Sequence, residues 1–309
     1  MSLQILLGPQ RPAANLRQAV DSVDFDGPIV VITAGWRDSE GEIEELREDI
    51  GRPVEDLALY QRAEEVFASE PDLRALKRER QDTLRELQGL YRIRLLPTLA
   101  AARRLMRAKA DPELLLLEQR AAISQIRALD RHHLRRIMAI HRDFDLRRSA
   151  MSIPLATAQR ETVHRMVEGA GLVLIAGGHV AVLLNRIRLF RLAGLLAQKP
   201  VIAWSAGAMA LSERIVLFHQ KAPQGKSDAE VLDAGLGVVR QRVLLPHART
   251  RIDWGNRERL ALFSRRFAPA SCCTLDNGSM MTLRDGRVAF SARTSVLTRT
   301  GQKKALATR

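Results

Sequence analysis

Short apolar runs stopped by glycine or proline open the chain, and they reappear after a long middle stretch with a different period. Gln4-Ile5-Leu6-Leu7 ends at Gly8-Pro9, and Pro28-Ile29-Val30-Val31-Ile32 ends at Thr33-Ala34-Gly35. Runs of this kind predict buried parallel strands. From about Glu55 to Arg148 the strand signal disappears and Leu, Ala, Arg, Glu and Gln dominate. Ser69 followed by Glu70-Pro71-Asp72 reads as a helix start, with Leu84, Leu87, Tyr91 and Leu95 at three- and four-residue steps. Pro97 is expected to interrupt or kink that helix. Asp111-Pro112-Glu113 starts another, after which Ile126, Leu129, His133, Ile137, Ile140 and Phe144 keep a helical stripe. A continuous helix from Pro112 to Arg147 would be roughly 54 Å long at about 1.5 Å per residue. A rod of that length needs a partner along its stripe.

After Pro154 the alternation returns. A helix over about Ala156 to Glu168 precedes the strand Leu172 to Ile175, the loop Ala176-Gly177-Gly178-His179, a helix to about Ala197, and the strand Val201-Ile202-Ala203. Val238 to Leu245 and Leu275 to Phe290 read as strands and turns around one helix near Asn256 to Arg266. Strand and helix in alternation, with glycine at strand ends, predict an α/β fold with a doubly wound, mostly parallel sheet. Residues 1–54 and 149–309 are expected to form this core, with 55–148 as a helical insertion serving as a lid or oligomerisation module.

Composition narrows the classes. The longest apolar run, Gly171 to Leu184, has 14 residues and contains His179, too short and too polar to span a bilayer. Met1-Ser2-Leu3-Gln4 lacks the basic and apolar regions of a secretory signal. The only cysteines, Cys272 and Cys273, are adjacent, so neither a disulfide between distant segments nor a zinc set is expected. A cytoplasmic, reduced protein without metal or other cofactor follows as the expectation. The 49 Lys+Arg against 35 Asp+Glu, net +14, favour acidic partners or substrates.

Chemistry concentrates in Ala203-Trp204-Ser205-Ala206-Gly207-Ala208-Met209, which follows an apolar strand and opens a helix. A sharp strand-to-helix turn tolerates only small neighbours, lifts the serine hydroxyl above the sheet and aims the next backbone N–H at the reacting oxygen. The same small residues would also serve merely to pack a helix close to a strand. A serine needs a base, and His247 in Leu244-Leu245-Pro246-His247 sits at a strand end, the sheet edge that carries active sites. His133, on an apolar helical face, fits a packed core or interface position better.

The order of a Gly-Gly loop, an S-A-G-A elbow, a P-H strand end and a closing acidic-glycine hairpin, Leu275-Asp276-Asn277-Gly278, resembles the dipeptidase E and cyanophycinase family of serine peptidases. The resemblance runs over roughly Gly171 to Gly301, more weakly over the first 35 residues, and leaves out the helical block. It implies the fold of the class I glutamine amidotransferases, with Ser205 as nucleophile, His247 as base, and an oxyanion hole at Ala206 and Gly178. Glutamine hydrolysis itself is excluded, because that chemistry uses a cysteine at the elbow.

Two departures stand out. His179 replaces the Asn, Asp or Gln that usually follows the loop glycines. The family's third triad member lies some fifteen to eighteen residues beyond the serine, where this chain reads His219-Gln220-Lys221-Ala222-Pro223 without a carboxylate. Asp228 or Glu230 is the expected replacement, with Asp253 and Asp276 as further candidates. A Ser-His pair without an acid would be slow.

Eight arginines fall between Arg240 and Ala268, and Arg249 and Arg251 directly follow the proposed base. Their planar forks suit a carboxylate substrate, so with His179 they are the expected substrate-binding residues, a solvated basic face being the alternative. The resemblance likewise implies aspartyl substrates. In the helical block 20 Arg+Lys mix with 15 Asp+Glu and only four aromatics, which disfavours nucleic acid and favours a salt-bridged interaction or lid module, while the stripe through Ile126, Ile137 and Phe144 that must be buried predicts self-association into a homo-oligomer. The expected function is a serine hydrolase cleaving amide bonds in small acidic peptides, Asp-containing or β-aspartyl. The competing expectation is an inactive relative acting through its basic helices in interaction or nucleic-acid binding.

Overall fold

The computed structural model describes residues 2–218 and 228–307. Its first part runs β1 (Leu3–Leu7), α1 (Leu16–Asp21), β2 (Ile29–Ile32), a kinked 3-10 turn (Ala34–Ser39), α2 (Glu44–Ile50) and β3 (Val54–Asp56). The helical stretch follows as α3 (Leu59–Ser69), α4 (Pro71–Arg107), α5 (Pro112–Ser149) and α6 (Pro154–Gly169). Then come β4 (Leu172–Ile175), α7 (Val180–Leu189), α8 (Ala193–Leu196), β5 (Val201–Trp204), α9 (Ala206–Leu211), β6 (Arg214–Leu217) and β7 (Glu230–Ala234). The chain closes with β8 (Arg242–Pro246), α10 (Ala248–Arg251), α11 (Arg257–Phe267), β9 (Ser271–Arg284), β10 (Arg287–Leu297) and β11 (Lys303–Ala305).

Among the described residues one nine-stranded sheet has the order β11-β10-β9-β1-β5-β4-β2-β3, with β8 pairing β9 off this path. The strands β1, β2, β3, β4 and β5 are parallel, and β9 to β11 add an antiparallel edge. β2, β4 and β5 are buried along their whole length, as strands covered by helices on both faces must be. The expected α/β class with a mostly parallel sheet is what the chain forms. The acidic-glycine segment expected as a hairpin is instead a bend within β9. Leu275 and the residues before it pair with β8, whereas Met280 onward pairs with β1. Glu55, expected to open the helical block, lies inside β3, and the pair β6–β7 forms a separate two-stranded sheet.

α4 and α5 are 37 and 38 residues long, and α4 runs through Pro97 without a break. Proline removes one backbone donor there, but Pro97 and Ile93 both lie on the exposed side, where water can take the freed carbonyl. The stripe through Ile126 and Leu129 packs with Tyr91, Leu95 and Leu99 against Val243, Leu245, Phe263 and Phe267 of the same chain. Phe144 joins the central core. The stripe is therefore covered from within, and it gives no reason to require a second molecule. His133 is a core residue, 2% exposed and stacked on Tyr91 at 3.9 Å between ring centres. No helix among the described residues is long and apolar enough to cross a membrane.

Candidate active site

β5 delivers four fully buried residues and then turns abruptly at Ser205, whose φ of 50° and ψ of −116° lie in a sparsely populated region for a side-chain-bearing residue. The Ser205 N–H donates to the Leu7 carbonyl at 3.1 Å, which ties the turn to β1. Both sequence explanations for the small residues hold at once. A Cβ at Gly207 would stand 2.3 Å from the Ile175 carbonyl oxygen, so glycine lets α9 lie against the end of β4 while Ser205 projects its hydroxyl.

His247 terminates β8 in the same way. It has φ 56°, and its N–H donates to the Leu275 carbonyl at 3.1 Å. Its Nε2 lies 3.3 Å from Ser205 Oγ, bringing together two residues 42 positions apart. Burial lowers the His247 pKa below the usual histidine value of 6.5. The Arg251 charge pushes it the same way and Asp276 opposes. The imidazole is thus neutral near pH 7, the state a general base requires.

Gly177 and Gly178 follow β4. A Cβ on Gly177 would lie 3.1 Å from the Ser205 Cβ, so this loop flanks the serine directly. Gly178 has φ +112°, and a Cβ there would stand 2.4 Å from the Gly35 carbonyl oxygen, so the 34–39 turn braces the loop from behind. Ala206 is the first residue of α9, and its N–H has no acceptor within that helix. His179, expected at the substrate, bonds to the backbone. Its Nδ1 accepts the Val182 N–H at 3.3 Å and caps α7, and its own N–H donates to the Gly35 carbonyl.

A cavity of about 630 Å³ opens beside Ser205 and His247. Its walls come from the ends of β1, β2, β4 and β5, including Pro9, Arg11, Trp36, Glu42, Glu45 and Asp49. Arg11 pairs with Glu45, while Glu42 and Asp49 make no ion pair among the described residues. Sequence reasoning missed this wall. No local pattern marks these residues, and only their place after β1 and β2 on the carboxyl edge of the sheet would have pointed to them.

Asp228 and Glu230 are not brought to His247. Asp228 is held by Arg103 and by Arg259 at 3.0 Å. Glu230 accepts from Gln88 at 2.9 Å and Arg92 at 2.7 Å. Both flank the start of β7, which lies against the α4–α5 pair, and that packing turns their carboxylates toward the helices. The window His219 to Pro223 lies outside the described residues. The carboxylate whose charge reaches His247 is Asp276, which accepts the Arg249 N–H at 2.7 Å. Arg251 is half-buried beside His247, but the exposed Arg249 lines a different cavity. Cys272 and Cys273 are buried free thiols on β9, away from the elbow, and burial raises both pKa values. Among the described residues no three His, Cys, Asp or Glu side chains are grouped to hold a metal ion.

The model of peptidase family S51, the dipeptidase E family, matches residues 128–290, more than half of the chain. The chain belongs to peptidase family S51. It is a serine-type peptidase of that family, as its resemblance to dipeptidase E and the cyanophycinases implied. The S51 match begins within α5 and extends into β10, so it includes the elbow, β8 and the bend of β9. The crystal structure of a peptidase from an acI-B1 Actinobacterium is similar over 100% of this chain and 95% of that one, with 14% identity and a TM-score of 0.46. No curated protein matches.

Proposed function

We propose that Ser205 and His247 hydrolyse amide bonds in small peptides carrying an acidic residue, Asp-containing or β-aspartyl. The observation that carries this is the 3.3 Å approach of Ser205 Oγ to His247 Nε2 at the mouth of a cavity on the carboxyl edge of the sheet. His247 Nε2 takes the hydroxyl proton as Oγ bonds to the carbonyl carbon, and the carbonyl π pair moves onto oxygen. The Ala206 and Gly178 N–H groups stabilise that oxyanion. His247 returns the proton to the leaving amine as the C–N bond breaks, leaving an acyl-serine. Water, deprotonated by the same imidazole, attacks the acyl carbon; the C–Oγ bond then breaks as His247 returns the proton to Ser205 Oγ, and the acid is released.

In this scheme Asp276 takes the stabilising part expected of Asp228 or Glu230, because its charge favours the protonated imidazole. Arg11 lines the cavity and is the cation offered to the substrate carboxylate, with Arg251 contributing its charge from beside His247, while Arg249 lines a different cavity. Glu42 and Asp49 suit the peptide's free amino group, which favours short peptides with an open N-terminus.

A fluorophosphonate probe should label the wild type and spare Ser205→Ala, and the same substitution should abolish turnover across Asp-containing dipeptides and β-aspartyl peptides. Equal labelling of both proteins refutes the assignment. The free buried thiols fit a reducing, cytoplasmic setting. Self-association, if the helices mediate it, falls to the exposed Leu90, Ile93 and Leu96 rather than to the buried stripe, and light scattering on the intact chain tests it.

A further inference from the structure

A second cavity of about 950 Å³ is walled by Arg249, Trp254 and Arg257 from one stretch of the chain and by Gln302, Lys303 and Lys304 from another. Among the described residues four cations and no carboxylate line it. Of the acids close to these residues, Asp276 accepts the Arg249 N–H at 2.7 Å, Asp253 accepts the Gly255 N–H at 3.3 Å, and Glu258 pairs with Arg107 at 2.7 Å. None of the four cations has an ion-pair partner among the described residues, and Lys303 rests 5.2 Å from the centre of the Trp254 ring. Like charges gathered around an open concavity repel one another, and folding would sooner disperse them across a surface. A ligand with several closely spaced negative charges removes that repulsion and pairs with both walls at once.

We propose that this cavity is a binding site for a small polyanion, with phosphates or carboxylates spaced to meet Arg249 and Arg257 on one side and Lys303 and Lys304 on the other. Two guanidinium groups supply two-pronged contacts, the ammonium groups act as point charges, and Gln302 adds a neutral donor. The site is separate from the Ser205 cavity, although both meet the short segment from His247 to Arg249. Its occupancy is independent of whether Ser205 turns over peptide.

The test uses the full chain, titrated in one arm with sodium tripolyphosphate and in another with tetra-aspartate, by calorimetry and by tryptophan fluorescence. Saturable one-to-one binding is expected in at least one arm, weakening as salt rises because the contacts are screened over a Debye length. Lys303 and Lys304 are exposed on the edge strand β11, so Lys303→Glu with Lys304→Glu leaves the core untouched. That variant should lose at least tenfold in affinity and keep its melting temperature. Lys303→Gln with Lys304→Gln should give an intermediate loss. Ser205→Ala should bind as the wild type does. Trp254→Phe should remove the fluorescence change while calorimetry still detects binding. Preference for tripolyphosphate identifies a phosphate ligand and preference for tetra-aspartate a carboxylate one. Absence of saturable binding in both arms, or equal affinity in the wild type and the Lys303→Glu, Lys304→Glu variant, overturns the proposal.

Discussion

Replacing Asp130 with Ala removes the anion at the centre of a buried network joining the long helices to the rest of the chain. Arg266 and Asp130 are 3% and 4% exposed. The guanidinium donates to the two carboxylate oxygens at 2.7 and 2.8 Å, to the Tyr91 hydroxyl at 2.8 Å and to the Ala229 carbonyl at 2.6 Å. Tyr91 itself donates to Asp130 at 2.8 Å. Asp130→Ala leaves the guanidinium charged, buried and facing neutral partners, which costs about 3–5 kcal/mol for a broken buried pair. At about 2–4 °C per kcal/mol for a chain of this order of size, the melting temperature should fall by roughly 6–20 °C. Removing both charges with shape kept, Asp130→Leu with Arg266→Met, should recover most of the loss, since no buried charge then remains unpaired. Urea unfolding followed by circular dichroism gives the free energies, and limited proteolysis reports whether α4 and α5 loosen first. A loss below about 1 kcal/mol for Asp130→Ala, or a double variant as unstable as the single one, refutes the reasoning. Either result would leave room for the helices as a detachable lid.

Other expectations follow from the site and the core. The acid limb of kcat/KM should lie below pH 6.5, moving up in Arg251→Gln, which removes a cation opposing protonation, and down in Asp276→Asn, which removes an anion favouring it; pH–rate profiles that do not move refute both contacts. Gly178→Ala should lower turnover by about tenfold or more through strain at positive φ and collision with Gly35, of order 1–3 kcal/mol, with fluorophosphonate labelling slowed in parallel. Burial pushes His133 down to about 4, and its Nε2 contacts two acceptors, Gln88 Oε1 and the Val231 carbonyl, so Nδ1 is the site left to protonate. That nitrogen is buried without a hydrogen-bond partner among the described residues. The unfolded chain therefore binds this proton more readily than the folded one, so stability should fall as pH drops from about 6.5 toward 4, and His133→Gln should flatten the decline measured by urea unfolding.

Alternation of short apolar runs with helical periods was enough to give the α/β class, because buried parallel strands and amphipathic helices write different periods into the chain. It also placed the elbow at Ser205 and the strand-end His247, since a tight strand-to-helix turn demands small residues in a fixed local order. The cap at Asp111 marked a helix start for the same local reason, and the observed cap there accepts N–H groups from the first turn. Contacts made across the sheet left no such mark. Asp228 and Glu230 were close in sequence to the expected acid position, yet the packing of β7 on α4 and α5 turned them toward arginines. Asp276 was only a further candidate for the acid and was read as part of a hairpin, whereas β9 carries it to the Arg249 N–H at the start of α10. Pro97 fails to break α4 because the carbonyl it strands faces water, a fact of burial that local sequence does not encode. The stripe on α5 demanded a cover, and only the tertiary structure decided that the chain itself supplies it. Periodicity fixes which face of an element must be buried, whereas the partner is chosen by the packing of all the elements together.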